Sequence, residues 1–191
     1  EIYNGYGMTE CSPAITCNRP GKCKFGSVGT PLDCCEIKIN NPDEDGVGEV
    51  VCKSDSVMLG YYENEEETAK VLQNGWLHTG DLGYCDEDGY YYLNGRKKSL
   101  IIMANGEKLN PEEVENQFAN CDAIEECQIW YHDGDSVLCL EVYGNDREAV
   151  GKAVEAYNER MPLSHQIHRI IYRKEPFGRT ASGKLIRKER R

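Results

Sequence analysis

The sequence predicts an α+β fold in two parts, a β-rich part over residues 1–95 and a small α+β domain over residues 96–191. In the first part, short apolar or alternating runs are separated by turns containing Gly, Pro and Asp, which is typical of strands. The second part adds two stretches with apolar residues at helical spacing, each preceded by a capping residue. The pattern changes at residues 94–98, so we expect the domain boundary there.

The first part reads as strands, one short helix and a hairpin. Residues 36–40 (EIKIN) alternate between apolar and polar, and residues 48–54 (GEVVCKS) begin the next strand after a Pro-Asp-Gly turn. We expect a short helix over residues 63–72. Residues 74–83 (NGWLHTGDLG) are predicted as a loop, and residues 85–95 (CDEDGYYYLNG) as a hairpin.

The second part contains two predicted helices and several strands. Asn110 is expected to cap the first helix, with Pro111 at its first position and Glu113 completing a capping box. Asn145 and Glu148 repeat this signature for the second helix. Apolar residues at helical spacing predict the buried faces: Val114, Phe118 and Cys121, then Val150, Val154, Tyr157 and Met161. Apolar runs predict strands over residues 99–104, 126–132, 136–143 and 168–173.

Charge is distributed unevenly along the chain. The net charge is −11, but residues 169–191 contain nine basic and two acidic residues, a net charge of +7. The basic residues are not interleaved with a series of aromatic residues, and the acidic remainder would repel a phosphate backbone, so we expect no nucleic-acid partner. The basic loop around Lys184, with Gly178 and Gly183, suits a phosphate or carboxylate ligand. A solvated terminal tail explains the same pattern.

The amino-acid composition also indicates the cellular location of the protein. The ten cysteines include no CxxC pair, so a structural zinc site is not expected, and a reducing cytoplasm fits them best. Most lie among apolar residues, where cysteine acts as a small buried hydrophobic side chain. No apolar run approaches the ~18 residues of a membrane span, and no secretory signal is present, so no transmembrane segment is expected. The chain opens with EIYNGYGMTE, without an initiator Met, and we expect it to be part of a longer protein.

Three short stretches carry side chains suited to binding a nucleotide. In residues 6–10 (YGMTE), Tyr6 could stack on a base, Thr9 could bond a phosphate and Glu10 could hold Mg²⁺, which prefers oxygen ligands. In HTGDL, Asp81 is expected on a tight turn, where its carboxylate can bind two ribose hydroxyls. Residues 94–99 (NGRKKS) place three basic residues at the domain junction. Ordinary turns and solvated charges explain each stretch taken alone.

The combination of these stretches, in this order and spacing, resembles the adenylate-forming superfamily. This superfamily comprises acyl- and aryl-CoA synthetases, firefly luciferases and the adenylation domains of nonribosomal peptide synthetases. The resemblance runs from Tyr6 to the C-terminus. It implies the last third of such an enzyme, with a distorted β-barrel-like subdomain followed by a mobile C-terminal α+β domain. The family's phosphate loop and most of its acyl pocket would then belong to a missing N-terminal portion of the same enzyme.

The resemblance implies specific roles for residues that match the family motifs. Those expected to contact the nucleotide are Tyr6, Gly7, Thr9, Asp81 and Arg96. Glu10 is implied as the ligand of Mg²⁺, and Thr9, Glu10 and Lys184 as catalytic residues. Lys184 matches a lysine that assists adenylation.

Two further residues match the family's C-terminal domain. Lys98 matches a hinge about which that domain rotates. Gly106 matches a glycine beside a narrow channel for the pantetheine arm of coenzyme A, where a side chain would block the channel.

The choice among relatives depends on residues 95–115 (GRKKSLIIMANGEKLNPEEVE), which resemble fatty-acyl-CoA synthetases more than peptide synthetase domains. This implies a small-molecule carboxylic acid, ATP with Mg²⁺, and coenzyme A as substrates. Ile102 and Met103 fill the stretch after the hinge, so no residue assisting thioester formation is assigned. Aliphatic and aryl acids both remain open. The alternative is a non-catalytic module that retains the fold and binds a nucleotide, coenzyme A or a protein partner.

Overall fold

The computed structural model describes residues 1–181, 183 and 185–187. The chain divides into two compact units, Glu1–Lys98 and Ser99–Arg191. Both units contain sheets with few helices, which confirms the predicted α+β class. The first unit extends past residue 95 because its last strand runs on to Arg96, and the boundary lies within the 3-10 helix Lys97–Ser99 that follows. Among the described residues, no helix is both long and apolar enough to span a membrane.

The first unit consists mainly of two sheets. The smaller sheet is antiparallel and has three strands: β1 (Gly5–Gly7), β2 (Ala14–Cys17) and β3 (Thr30–Pro31). The larger sheet has five: β4 (Cys35–Asn40), β5 (Gly48–Ser54), β6 (Leu72–Gln73), β7 (Trp76–Cys85) and β8 (Tyr91–Arg96). The larger sheet has the order β4-β5-β7-β6, with β8 paired to β7. The helix expected over residues 63–72 is confirmed as α1 (Glu65–Val71), capped by the Asn64 side chain.

A closed barrel is not formed by the described strands of this unit. The two sheets are connected by an isolated bridge between Gly29 and Tyr91, in which Val28 and Tyr91 donate to the carbonyls of Tyr91 and Gly29. Each sheet is otherwise paired internally. The barrel-like detail of the expected fold is therefore not confirmed, because a single residue pair replaces the ladder that closure requires.

The prediction of a loop over residues 74–83 is wrong. Trp76–Cys85 forms the long strand β7, which pairs with β5 on one side and with β6 and β8 on the other. Its inward face carries Leu77, Thr79, Asp81 and Gly83, which are all buried. Two of these side chains are polar and one is absent, so the apolar alternation that normally marks a strand is missing from the sequence.

The second unit packs two helices against a three-stranded sheet. Its strands are β11 (Ile124–His132), β12 (Val137–Gly144) and β13 (Ile167–Tyr172), with β12 antiparallel to β11 and parallel to β13. A small hairpin, β9 (Ile101–Ile102) and β10 (Lys108–Leu109), precedes them. The helices are α2 (Pro111–Asn116) and α3 (Arg147–Asn158).

The helix caps agree with expectation at one of the two positions. The Asn110 side chain accepts a hydrogen bond from the Glu112 amide at 3.1 Å, which confirms it as the cap of α2. The cap of α3 is Asp146 rather than Asn145, since the Asp146 carboxylate accepts from Glu148 and Ala149 amides. Both are good capping residues, and the fold decides which one stands at the helix start. The buried core of this unit includes the predicted helical positions Val114, Phe118, Val150, Val154 and Tyr157.

Candidate functional site

A bulge in β7 positions Asp81. Across the β5–β7 ladder, Glu49 pairs with Leu82 and Val51 pairs with His78, so β7 holds two extra residues at this point. Gly80 lies inside the bulge with a φ of +71°, a conformation that favours glycine. The turn expected around Asp81 is therefore a local bulge within a continuous strand. Bulges of this kind redirect side chains next to binding sites.

Side chains satisfy the backbone groups that the bulge leaves unpaired. The Thr79 hydroxyl donates to the Val50 carbonyl at 2.7 Å and accepts from the Asp81 amide at 3.1 Å. The Gly80 amide donates to the Glu49 carboxylate at 3.1 Å. Because buried backbone groups are costly when unpaired, these bonds hold the bulge in one geometry.

Asp81 lies at the centre of a group of three predicted site residues. Its carboxylate is buried and accepts a hydrogen bond from the Tyr6 hydroxyl at 2.6 Å through Oδ2. Arg96, directly opposite Asp81 in the β7–β8 ladder, places Nε 2.9 Å from Oδ1. A carboxylate offers about four lone-pair positions, so these two contacts leave capacity for further donors such as ligand hydroxyls.

Tyr6 is fixed as a hydrogen-bond donor. Burial raises the pKa of its hydroxyl well above the ordinary value, and the hydrogen bond to Asp81 raises it further. The ring also packs against a buried cluster that includes Cys11, Ile15 and Leu77. The Tyr6 hydroxyl therefore orients the Asp81 carboxylate. Stacking of the Tyr6 ring on a base stays a prediction.

Gly7 occupies a position where a side chain does not fit. A Cβ atom built there would lie 1.7 Å from the Pro13 carbonyl oxygen. The β1–β2 register shifts between Tyr6 and Gly7, which brings the two backbones close together. The glycine thus allows the sharp connection between β1 and the segment that follows it.

Thr9 and Glu10 lie on a 3-10 helix, Thr9–Cys11, immediately after this connection. Thr9 is exposed, and its hydroxyl is available to a ligand. The Glu10 carboxylate accepts a hydrogen bond from the Tyr61 hydroxyl at 2.8 Å, and the Glu10 carbonyl accepts from the Met58 amide at 2.8 Å. Burial, followed by the bond to Glu10, raises the pKa of Tyr61 to about 12. Glu10 can hold Mg²⁺, since that ion is commonly bound by one or two carboxylates together with ligand phosphates.

Glu49 and Tyr61 are functional candidates that the sequence patterns do not reveal. Glu49 is buried, and its carboxylate also contacts His78 Nδ1 at 3.1 Å and Lys97 Nζ at 3.3 Å. Burial opposes ionisation of Glu49, but the bonds from His78 and Lys97 outweigh it and lower the pKa. A carboxylate inside the apolar run GEVV was the available signal for Glu49. No local signal links Tyr61 to Glu10, because their contact spans 51 residues.

The residues predicted for the hinge and for the coenzyme A channel, Lys98 and Gly106, lie at different places in the chain. Lys98 is the last residue of the first unit. Gly106 lies in the β9–β10 hairpin, where its amide donates to the Met103 carbonyl at 2.8 Å. Its φ is +83°, and a Cβ there would meet no atom within 4 Å. The backbone conformation therefore favours glycine, and the adjacent space is open to a ligand.

Lys184 lies outside the described residues. The described part of its loop begins a tight turn in which the Gly183 amide donates to the Thr180 carbonyl at 2.9 Å. Arg179 and Leu185 form a bridge, and the Arg179 side chain pairs with Glu126 of β11. The Gln128 side chain donates to the Ile186 carbonyl at 3.2 Å. These contacts tie both sides of the turn to β11.

Comparison with known proteins identifies relatives. A family model described as "AMP-binding enzyme" matches residues 1–62. A long-chain-fatty-acid–CoA ligase from Bacillus subtilis is 32% identical over 98% of this chain and 35% of its own length. A 2-succinylbenzoate–CoA ligase from Oceanobacillus iheyensis is 41% identical over 67% of this chain and 27% of its own length. The chain thus spans about a third of the length of these relatives.

A solved structure shares the fold along almost the whole chain. O-succinylbenzoate coenzyme A synthetase from Bacillus subtilis, in complex with ATP and a magnesium ion, superimposes with a TM-score of 0.79 at 32% identity. The match covers 96% of this chain and 40% of the synthetase.

Proposed function

Because the chain belongs to the superfamily of adenylate-forming enzymes, we propose that it is the C-terminal portion of an ATP-dependent acyl-CoA synthetase. Such an enzyme joins a carboxylate to the α-phosphate of ATP, forming an acyl-adenylate and releasing pyrophosphate. It then transfers the acyl group to the thiol of coenzyme A and releases AMP. The remainder of the enzyme, including its phosphate loop, would lie N-terminal to this chain.

The observation that carries the proposal is the group formed by Tyr6, Asp81 and Arg96. In this group the buried Asp81 carboxylate is held from two sides and keeps free lone pairs. We assign these lone pairs to the two ribose hydroxyls of the nucleotide, which are donors at the right spacing for one carboxylate. Arg96 is about half exposed, with 53% of its side chain accessible, so its remaining donors can reach the same sugar.

The turn that follows Gly7 would hold the phosphates and their metal. We assign Thr9 to a phosphate oxygen and Glu10 to Mg²⁺, with Tyr61 orienting the Glu10 carboxylate through its 2.8 Å hydrogen bond. Bound Mg²⁺ would neutralise charge on the phosphates of ATP. The structure of a relative with ATP and magnesium supports this choice of ligands.

The second unit, together with the residue that directly precedes it, would supply the groups that change between the two steps. We assign Lys184 to the adenylation step, where its ammonium would stabilise negative charge shifting among the carboxylate, the α-phosphate and pyrophosphate. We assign Lys98 as the pivot of the rotation, supported by its position at the end of the first unit. We assign Gly106 to the passage for coenzyme A, supported by the open space beside it.

The acyl substrate we propose is a fatty acid. Similarity to a long-chain-fatty-acid–CoA ligase over nearly the whole chain supports this choice, and similarity to 2-succinylbenzoate–CoA ligases makes an aryl acid the competing class. We also propose a cytoplasmic location. All ten cysteines carry free thiols, as is typical of proteins in a reducing compartment.

The test is pyrophosphate exchange into ATP by the full-length protein that contains this chain. We expect exchange that depends on added long-chain fatty acid, followed by thioester formation when coenzyme A is present. Exchange with 2-succinylbenzoate alone would move the substrate to the aryl class. Nucleotide binding without exchange for any carboxylic acid would contradict the proposal and favour a non-catalytic nucleotide-binding module.

Asp81→Asn tests the observation on which the proposal depends. The amide removes the charge between Tyr6 and Arg96, and charge-assisted hydrogen bonds of this kind contribute about 1.5–3 kcal/mol. Because Arg96 is half exposed, we expect the lower end, about 10-fold weaker ATP binding. Asp33→Asn is the matched control, since Asp33 pairs with Arg19 at 3.5 Å on the open surface and should leave binding unchanged.

Lys184→Ala tests the assigned catalytic lysine. Loss of a correctly placed cation should slow adenylate formation by about 10²–10³, by analogy with the loss of one oxyanion donor. Thioester formation from supplied acyl-adenylate should stay nearly unchanged, since the loop is expected to have rotated away. Lys174→Ala, which removes another basic residue of the same tail, should affect neither step. An unaltered adenylation rate in Lys184→Ala would remove this residue from the mechanism.

A further inference from the structure

Three cysteines from separate parts of the first unit converge in its interior. Cys11 ends the 3-10 helix, Cys35 begins β4, and Cys52 lies in β5. Their sulfur atoms all lie within 4.8 Å of one another, and all three residues are buried. The sequence contains no CxxC pair, so this thiol cluster arises from the tertiary fold.

One of the separations already fits a single three-coordinate centre, and the other two lie within about 1 Å of the required range. The sulfur atoms of Cys11 and Cys52 are 3.8 Å apart. Bonds of about 2.3 Å, as between zinc and thiolate, place three sulfurs about 3.5–4 Å apart around one atom, depending on how pyramidal the centre is. Small torsional changes of three side chains would therefore bring the cluster onto a common ion.

The surroundings of the cluster select the charge of that ion. The neighbouring side chains are mostly apolar and include Ile15, Leu77 and Val57, with the Ser56 hydroxyl 3.6 Å from the Cys11 sulfur. Three thiolates carry three negative charges, and an uncompensated buried charge is costly. Cu⁺ would leave two of these charges uncompensated and Zn²⁺ one, and a structural zinc site normally takes four ligands. A trivalent thiophilic ion leaves none.

We propose that Cys11, Cys35 and Cys52 form a binding site for trivalent arsenic and related trivalent thiophilic ions. Arsenous acid, As(OH)₃, would react with the three neutral thiols. Three As–O bonds break, three As–S bonds form, and the thiol protons leave with the hydroxyls as three water molecules. No oxidation state changes, and the neutral product suits the apolar interior.

Cys34 provides a route into the buried cluster. Its thiol is exposed, and its sulfur is 3.8 Å from that of Cys35. An ion captured first by this pair could pass inward by ligand exchange between neighbouring sulfurs, as in thiol exchange generally. Cys34→Ser should therefore slow binding without changing its final stoichiometry.

Ion binding at this site would also affect the proposed adenylation activity. This one expectation rests on the proposed function. Cys11 directly follows Glu10, so an ion bonded to Cys11 would fix the turn that carries the expected magnesium ligand. We expect arsenite to inhibit adenylation by the full-length protein. The binding test below uses no activity and stands independently of that function.

The test adds one equivalent of arsenite to the fully reduced chain without oxygen. Intact mass spectrometry should show one added arsenic and the loss of three hydrogens, and X-ray absorption should show three sulfur neighbours. Two sulfurs and one oxygen would overturn the three-thiol site. In the unsubstituted chain, a brief pulse of N-ethylmaleimide in denaturant, followed by peptide mapping, should show protection of Cys11, Cys35 and Cys52. Labelling of these three to the same extent as Cys139 would also overturn it.

Substitutions locate the site. Cys11→Ala, Cys35→Ala and Cys52→Ala should each lose the three-sulfur signature and weaken arsenite binding at least 10-fold. Cys139→Ala is the matched control because Cys139 is equally buried but lies in the second unit, outside the cluster. An equal loss in Cys139→Ala would contradict the assignment. If an alanine variant fails to fold, the peptide mapping of the unsubstituted chain still decides the outcome.

Discussion

Two carboxylates of the candidate site are held in different ways. Asp81 is buried and fixed by Tyr6 and Arg96, so its geometry is set before any ligand arrives. Glu10 receives a side-chain hydrogen bond from Tyr61, which is itself 36% exposed. A preorganised carboxylate suits neutral hydroxyls, whereas a less constrained one can adjust to the coordination of a metal ion.

Tyr61→Phe removes the hydroxyl that orients Glu10 and keeps the ring. Because this bond is partly exposed to water, we expect an effect of about 1 kcal/mol, or roughly 5-fold. The measurement is the Mg²⁺ concentration needed for half-maximal adenylation by the full-length protein, which should rise by that factor. Tyr62→Phe is the matched control, since Tyr62 is 90% exposed. An equal rise in both variants would argue against a role for Tyr61 in orienting Glu10.

At the level of elements, close backbone approach determines where glycine is required. Gly7 faces the Pro13 carbonyl at the β1–β2 connection, and Gly83 faces the Tyr92 carbonyl in the β7–β8 ladder, where a Cβ would lie 2.3 Å from the oxygen. These glycines allow the close backbone approach that positions the strands carrying Tyr6, Asp81 and Arg96. The geometry of the site therefore depends on residues that contribute no side chain to it.

Gly7→Ala should destabilise the first unit by at least about 2 kcal/mol, since the added methyl group forces the backbone at Pro13 to move. Gly151→Ala provides the opposite control. Gly151 lies inside α3 with no atom near a built Cβ, and alanine should stabilise that helix by about 0.5–1 kcal/mol. Urea unfolding followed by circular dichroism measures both changes. Similar stability of Gly7→Ala and the unsubstituted chain would refute the close approach.

The β5–β7 pair should respond to acid through Glu49. Its pKa in the folded state lies below the ordinary value of 4.5, because the bonds from His78 and Lys97 outweigh burial. The stabilisation is therefore complete above the pKa of the unfolded chain and is lost as pH falls through the lower folded-state pKa. Glu49→Gln should lose less unfolding free energy between about pH 6 and pH 3 than the unsubstituted chain, because an amide does not titrate.

Urea unfolding at each pH gives this comparison. Glu36→Gln, on the exposed face of β4, is the control and should keep the acid dependence of the unsubstituted chain. If Glu49→Gln and the unsubstituted chain lose the same unfolding free energy over this pH interval, the contacts with His78 and Lys97 do not lower the pKa of Glu49.

At the scale of the whole molecule, the division after Lys98 motivates a hinge test. Lys98→Pro fixes φ near −65° and, if the proposed function is correct, should hold the full-length protein in one arrangement of its units. We expect one half-reaction to survive and the other to fall by orders of magnitude, measured as adenylate formation and as thioester formation from supplied adenylate. Lys98→Ala, which leaves φ free, should retain both. Equal losses in both half-reactions of Lys98→Pro would count against a pivot at this residue.

Local sequence patterns determined much of the fold. The strands at residues 36–40 and 48–54, the Asn110 cap and the buried face of α3 follow from side-chain periodicity and capping chemistry, which act over a few residues. The order and spacing of motifs also indicated the family and its candidate residues, including Tyr6, Asp81 and Arg96.

Only the tertiary structure decided how those residues meet. The strand containing Asp81 was unrecognisable locally because its buried face carries Thr79 and Asp81, which are stabilised by partners in β1, β5 and β8. The contact of Tyr61 with Glu10 and the cluster of Cys11, Cys35 and Cys52 likewise join residues far apart in the chain. Such contacts depend on strand pairing and register, which bring distant residues together without leaving a periodic signal near either one.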